Sequence, residues 1–151
     1  MADSLRFEVD DRGVATMTLT RPEVRNAFDS DLIEQLGARL LEVREREDIR
    51  ALVITGAGDC FSAGADVNWM RSMVDAGEED NLEDALGLAD LMGALHDMGK
   101  PTVARVNGHA FGGGVGLVAC CDIAIASSDA KFSLSEVRLG LIPAVISPYV
   151  L

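Results

Sequence analysis

Aromatic residues are scarce: one tryptophan, one tyrosine and five phenylalanines in 151 residues. Any core must therefore be filled mainly by aliphatic side chains, and hydrophobic residues make up 48% of the chain, enough for one globular domain over residues 1–151. Positive charge is also scarce. Thirteen Lys and Arg face 25 Asp and Glu, a formal net charge of -12. Nucleic-acid-binding domains carry a basic footprint. This chain lacks one, so that class is set aside. An anionic small molecule is still allowed, because a local Arg or Lys acts within a Debye length of roughly 8 Å. There are three cysteines, Cys60, Cys120 and Cys121, and two histidines, His96 and His109. The cysteine count is odd, two are adjacent, and no C-x-x-C spacing occurs, which speaks against a disulfide framework and against a zinc set. No metal is expected, and the cysteines read as reduced residues of a cytoplasmic protein. The opening "MADSLRFEVDDRG" has no basic n-region and no apolar h-region, which speaks against a leader peptide. Apolar runs stop well short of the roughly 18 residues of a membrane span.

The segments that are present alternate between strand and helix. "LRFEV" and "VATMTL" flank "DDRG" and read as a β-hairpin. After the loop "RPEVRNAF", residues 29–48 place Leu32, Ile33, Leu36, Leu40 and Leu41 at helical spacing, with Asp29 or Ser30 as cap. "RALVIT" is a continuous apolar run, expected as a strand buried on both faces. "GDCFSAGAD" is a loop of small residues, and "DVNWMRSM" a short helix. Beyond an acidic connection, Leu82, Ala85, Leu86, Ala89, Met92 and Leu95 fall on one helical face. "KPTVARV" is a strand, "GGVGLVACC" a helix, "DIAIAS" a strand and "AKFSL" a short one. This order predicts an α/β fold with mostly parallel pairing, whose sites form at the carboxyl ends of strands. Two small-residue loops lie there, "GDCFSAGAD" and "NGHAFGGG".

The second of these holds Gly112, Gly113 and Gly114, with Gly116 close behind. Glycine weakens a helix interior by roughly 0.5–1 kcal/mol against alanine. A cluster has two explanations: close helix–strand packing, or a ligand lying against the backbone. If both loops lead into helix starts, each offers backbone N–H donors to a developing negative charge. Two such donors aimed at one point make an oxyanion hole.

"CFSAGADVNWM", "KPTVARVNGHAFGGGVGL" and "CCDIAIASSDAKFSLSEVRLGLIP", in that order, resemble the enoyl-CoA hydratase/isomerase (crotonase) family, and "RPEVRNAF" resembles its early loop. The likeness runs from about Leu5 to the end. "SEVRLGLIPAVISPYVL" is most similar to the branch of methylglutaconyl-CoA and carboxygeranoyl-CoA hydratases. The resemblance implies the ClpP/crotonase fold, a repeated β-β-α spiral, and an acyl-CoA thioester as partner. It implies no separate cofactor, since coenzyme A arrives as part of the substrate. By position, the oxyanion donors are the N–H groups of Ala65 and Gly113. Val24, Arg25 and Ala27 match the loop that contacts coenzyme A, with Ala63 nearby. Arg25 either meets a phosphate or is a solvated loop residue. Asp66, Val67, Trp69 and Gly112 join the substrate-binding set; Trp69 and Met70 line an acyl pocket or merely pack.

The family's hydratases use two glutamates. The second corresponds to Glu136, in "SLSEVRLG"; the first falls on Gly116, a departure. Glu136 is the candidate acid/base, flanked by apolar residues, against the alternative of an exposed helix-start glutamate capped by Ser133 or Ser135. A single glutamate suits either hydration of a 2-enoyl-CoA or double-bond isomerisation. Gly116 also keeps open a non-catalytic acyl-CoA-binding or assembly role. Asp122, His109, Cys120 and Cys121 read as structural. If the substrate carries a distal carboxylate, Arg71 and Arg138 are candidates to meet it. The resemblance implies C-terminal trimerisation helices, which are expected to be absent from this chain. Its apolar end, "LGLIPAVISPYVL", is therefore expected to lie uncovered, and the chain to associate with copies of itself.

Overall fold

The computed structural model describes residues 4–151; Met1, Ala2 and Asp3, where the segment read against a leader begins, lie outside them. The chain opens with the expected hairpin, β1 (Leu5–Val9) antiparallel to β2 (Val14–Leu19). Asp10 Oδ1 closes its turn by accepting from the N–H groups of Arg12 and Val14. Helix α1 (Ser30–Glu45) follows, and of the two candidate caps Asp29 takes the role, accepting from Leu32 N–H at 2.9 Å. Leu32, Ile33, Leu36, Leu40 and Val43 are buried, whereas Leu41 is 55% exposed. At about 100° per residue, Leu41 sits roughly 140° from Leu36 around the helix, and Val43 takes the core position expected of it.

Three passes of a β-β-α pattern come next. The first is β3 (Ala51–Gly56), β4 (Cys60–Ser62), α2 (Val67–Ser72) and α3 (Glu78–His96). The second is β5 (Thr102–Val106), β6 (His109–Phe111) and α4 (Gly113–Cys120). The third is β7 (Ile123–Ala126), β8 (Phe132–Ser133), a 3-10 turn over Ser135–Leu139 and α5 (Ser147–Val150). The first strand of each pass enters a large sheet ordered β1-β2-β3-β5-β7, parallel beyond the hairpin; the second enters a small parallel sheet ordered β4-β6-β8. This is the repeated β-β-α spiral that the resemblance implies. The two loops read from the sequence begin with β4 and β6, strands of three residues, too short for alternation to betray them.

Leu52 and Ile54 of β3 are buried in one core with side chains of α1, α3 and α4, but Val53 is only half-buried. Successive strand residues point to opposite faces, and the helices cover one of them, so burial on both faces is not complete. On α3 the expected apolar face holds only in part. Met92 and Leu95 are buried, while Leu82 (58%) and Leu86 (53%) are exposed and Ala85 with them. The acidic first half of α3 is solvated, and core packing runs instead through Leu88, Leu91, Met92 and Leu95. Strand β7 is an edge strand of the large sheet, opposite β1, and all four of its residues are exposed. The C-terminal segment is uncovered at Leu139, Leu141, Ile142 and Leu151. Ile146, however, is buried, and Val145, Tyr149 and Val150 pack on the core, because α5 folds back onto α4. Among the described residues no helix is long and apolar enough to cross a membrane.

Candidate active site

The turns that leave β4 and β6 meet backbone to backbone. Gly64 has φ +85° and Gly112 φ +50°, conformations that disfavour any side chain. A Cβ on Gly64 would stand 2.8 Å from Phe111 O and 3.1 Å from Gly113 N. The glycine run also packs: a Cβ on Gly113 would stand 3.0 Å from the Phe28 ring, and one on Gly114 2.7 Å from Ser62 O. At Gly112 the close neighbour is a functional group, Glu136 Oε1, 3.2 Å from the same imaginary atom. Close packing therefore accounts for Gly64, Gly113 and Gly114, while Gly112 leaves room beside a carboxylate.

Hydrogen bonds engage the groups around these turns but not two of their N–H donors. Phe28 N–H donates to Gly64 O and Asp66 N–H to Phe28 O, each at 2.7 Å, and Gly112 N–H donates to Ser133 O at 2.9 Å. Among the described residues, the N–H groups of Ala65 and Gly113 have no acceptor. Gly113 is also the first residue of α4, at the positive end of the helix. Both residues line a cavity of about 190 Å³, together with Phe28, Ala63, Gly112 and Trp69.

Glu136 lines the same cavity from the 3-10 turn. It is half-buried, and its Oε2 is fully buried without a hydrogen-bond partner among the described residues. Leu134, not a serine, holds the cap position of its turn, and no side chain caps there. A buried carboxylate oxygen left without a donor is costly unless something else supplies one. Among the described residues it is the only titratable side chain on the cavity wall, which is otherwise apolar apart from Ser135 and backbone. Gly116 faces no open space: a Cβ there would overlap Ile146 Cγ2 outright and stand 3.1 Å from Met92 Cε. Two free N–H donors and one unpartnered carboxylate around a small apolar cavity can stabilise a developing oxyanion and move a proton.

The other expected site residues divide. Trp69 and Met70 line the cavity and also a wider groove of about 640 Å³ beside it, where Val67, 50% exposed, and Arg71 are found. The Asp66 side chain belongs to the framework: it accepts from Asn68 N–H at 2.9 Å, capping α2, and pairs with Arg21 at 3.0 Å. Val24, Arg25 and Ala27 stand apart from the cavity wall, on a loop pinned to it. Arg25 has φ +55°, and its carbonyl accepts from Ala63 N–H at 2.9 Å. The pins were not read from the sequence. Asn26, fully buried, donates to Ala57 O and Cys60 O and accepts from Arg21 N–H. Arg138 lines neither cavity nor groove. His109 Nδ1 accepts from Lys131 N–H at 3.2 Å, and its ring lies 5.7 Å from that of Phe111. Burial pushes the Cys120 and Cys121 thiols up to about 12, which leaves them protonated and inert. Asp122 accepts from Thr102 N–H and Oγ1–H, bracing β5 against β7. No group of three or more metal-ligating side chains occurs among the described residues.

Known proteins share this fold. The sequence matches the family described as "Enoyl-CoA hydratase/isomerase" over residues 10–151. A Legionella pneumophila protein assigned as an enoyl-CoA hydratase/isomerase (crotonase), 49% identical, superposes with a TM-score of 0.94 over 99% of this chain and 57% of its own. An enoyl-CoA hydratase of Shewanella pealeana, 48% identical, gives 0.93 over 97% of this chain and 55% of its own. An enoyl-CoA hydratase of Alternaria alternata is 40% identical over 142 residues, 92% of this chain and 45% of the relative. The chain spans about half the length of the curated relatives it matches. It belongs to the enoyl-CoA hydratase/isomerase family.

Proposed function

We propose that this chain binds a 2-enoyl-CoA thioester and adds water across its C2–C3 double bond, with Glu136 as the single acid/base. The observation that carries the reading is the buried, unpartnered Glu136 Oε2 in a cavity shared with two unused backbone donors, Ala65 and Gly113. The thioester oxygen sits between those two N–H groups. Glu136 takes a proton from water as the water oxygen bonds to C3, and negative charge moves onto the thioester oxygen as an enolate. The Glu136 acid then returns a proton to C2, which restores the carboxylate. One group serves both steps because they follow each other on the same face. The loop of Val24, Arg25 and Ala27 takes the coenzyme A moiety. Where the acyl chain ends in a distal carboxylate, Arg71, which lines the adjoining groove, is the cation proposed to meet it.

A second reading, double-bond isomerisation, is favoured by the packing at Gly116. The position where two-acid relatives carry a glutamate is filled here by Ile146 and Met92. A lone carboxylate that carries a proton from C2 to C4 needs no second acid. Loss of enoyl absorbance on crotonyl-CoA or 3-methylglutaconyl-CoA, beside product analysis on a 3-enoyl-CoA, distinguishes the two. Glu136→Gln keeps the shape and removes the base, so turnover falls by roughly 10²–10⁴-fold while coenzyme A binding changes little. Wild-type rates in that variant would remove Glu136 from the mechanism. Tight binding with no turnover by the unaltered chain would identify an acyl-CoA-binding protein instead.

A further inference from the structure

We propose that Phe28 is a positioning residue that locks the two N–H donors into one site. The proposal rests on the oxyanion reading given above. Phe28 is 1% exposed. Its backbone holds both neighbours of Ala65: its N–H donates to Gly64 O, and its carbonyl accepts from Asp66 N–H, each at 2.7 Å. This short parallel bridge fixes the peptide of Ala65 while leaving that residue's own N–H unused. The Phe28 ring reaches the other turn. A Cβ on Gly113 would stand 3.0 Å from its Cε2 and 3.3 Å from its Cδ2. One residue thus touches both donor-bearing turns, through its main chain on one side and its ring on the other.

The residues around Phe28 hold it in place. Arg21 Nη1 donates to Ala27 O at 2.7 Å and pairs with Asp29 at 2.8 Å, while Nη2 pairs with Asp66 at 3.0 Å. One guanidinium therefore grips the residues before and after Phe28 and also the far end of the bridge. Gly113 has no side chain of its own and no acceptor for its N–H, so on the Phe28 side the ring is the surface that sets where its peptide lies. Two donors stabilise an oxyanion only at hydrogen-bond distance from one point, and the interaction weakens steeply off that geometry. Phe28 sets their separation.

The test reads polarisation of the bound carbonyl separately from turnover. An enoyl-CoA conjugated to an electron-donating aryl ring absorbs further to the red when its thioester oxygen is held by donors. The unaltered chain is expected to shift this probe. Phe28→Leu keeps an apolar side chain but shortens it; it is expected to bind the probe within about threefold, to lose most of the red shift, and to lower kcat about tenfold or more at little-changed KM. Leu40→Ala, a buried α1 change that lines neither cavity nor groove, lowers stability but leaves shift and kcat as they were. If Phe28→Leu does not fold, Gly113→Ala gives the same readout, because its new Cβ presses on the ring. Where both fold, the double variant is expected to lose less than the two singles combined, since leucine vacates the space the Cβ needs. A full red shift and wild-type kcat in Phe28→Leu, or an additive cycle, would overturn the role of Phe28 and leave the oxyanion reading standing. A wild-type chain that binds the probe without any shift would defeat that reading and the proposal with it.

Discussion

Replacing Gly116 tests whether this site is built for one carboxylate or has lost a second. Glycine inside a helix normally costs about 1 kcal/mol against alanine, so Gly116→Ala in α4 is intrinsically stabilising. The packing reverses that sign. The new Cβ would overlap Ile146 Cγ2, stand 3.0 Å from Ile146 Cβ and 3.1 Å from Met92 Cε. Met92 is flexible and can yield. Ile146 is β-branched, so contact at its own Cβ means that its backbone must move and α5 with it. Overpacking of this kind costs typically 1–3 kcal/mol, enough to cancel the helix gain and leave a net loss of about 1 kcal/mol. Gly116→Glu adds exposure of Ile146, worth roughly 1.5–3 kcal/mol, and a carboxylate among apolar neighbours. Its total loss is about 3 kcal/mol or more, a large share of a typical 5–15 kcal/mol. At roughly 2–4 °C per kcal/mol for a chain of this size, the midpoint drops by about 6–12 °C. Urea and thermal unfolding of Gly116→Ala, Gly116→Glu and each in an Ile146→Ala background measure this. The alanine penalty should vanish in the Ile146→Ala background, and hydration should not rise in Gly116→Glu. A Gly116→Ala chain more stable than the original by the full helix gain, or a Gly116→Glu chain that folds well and hydrates faster, would refute the packing account and point to a decayed two-acid hydratase.

Ala65→Pro and Gly113→Pro each delete one donor; either is expected to abolish turnover, with circular dichroism to verify folding, and a folded, fully active variant would misplace the donor pair. The chain should associate in solution through its uncovered apolar surface, which includes Ile123 (52% exposed), Ile125 (62%) and Ile142 (79%); light scattering after size exclusion checks this, and a sharp monomer peak at 16.0 kDa with no dye-binding surface would contradict it. The N–H and Oγ1–H of Thr102 hold the Asp122 carboxyl below its ordinary range. A depressed folded-state value means the unfolded chain binds the proton first, so this contribution is present above about pH 4 and is lost as pH falls through the folded value. The stability gap between wild type and Thr102→Val, read by urea titration, should therefore be widest near pH 7 and narrow toward pH 3.

Periodicity marked what is local. The α1 stripe, the hairpin and every strand of the large sheet were legible because each depends on residues a few positions apart. The first half of α3 was misread for the same reason. Steps of three and four drift around the helix: at about 100° per residue Leu86 lies about 120° from Met92 and on the opposite side from Leu95, so the stripe is too broad for one buried face, and Leu82 and Leu86 stay exposed. The small sheet was hidden by length, since strands of two or three residues carry no alternation. Glu136 and the glycine run stood out through ordered motifs. The contacts that give them meaning join distant segments, Phe28 to Gly113 and Gly116 to Ile146, and no spacing rule reaches across such separations.

The three groups of the candidate site nevertheless occupy equivalent places in the spiral. Strands β4, β6 and β8 lie side by side and parallel, so their carboxyl ends share one edge of the small sheet. Ala65 lies three residues past the end of β4, Gly113 two past the end of β6 and Glu136 three past the end of β8. Each pass therefore delivers one group to the same edge, where ligand sites form in parallel α/β sheets. The first two passes deliver backbone donors and need small residues there, because their turns touch at Gly64, Gly112 and Gly113. The third turn lies beside Gly112, whose missing side chain leaves room for a carboxylate. The glycines of the second pass are thus fixed by neighbours on both sides, and in this chain the one carboxylate on the cavity wall, Glu136, comes from the third.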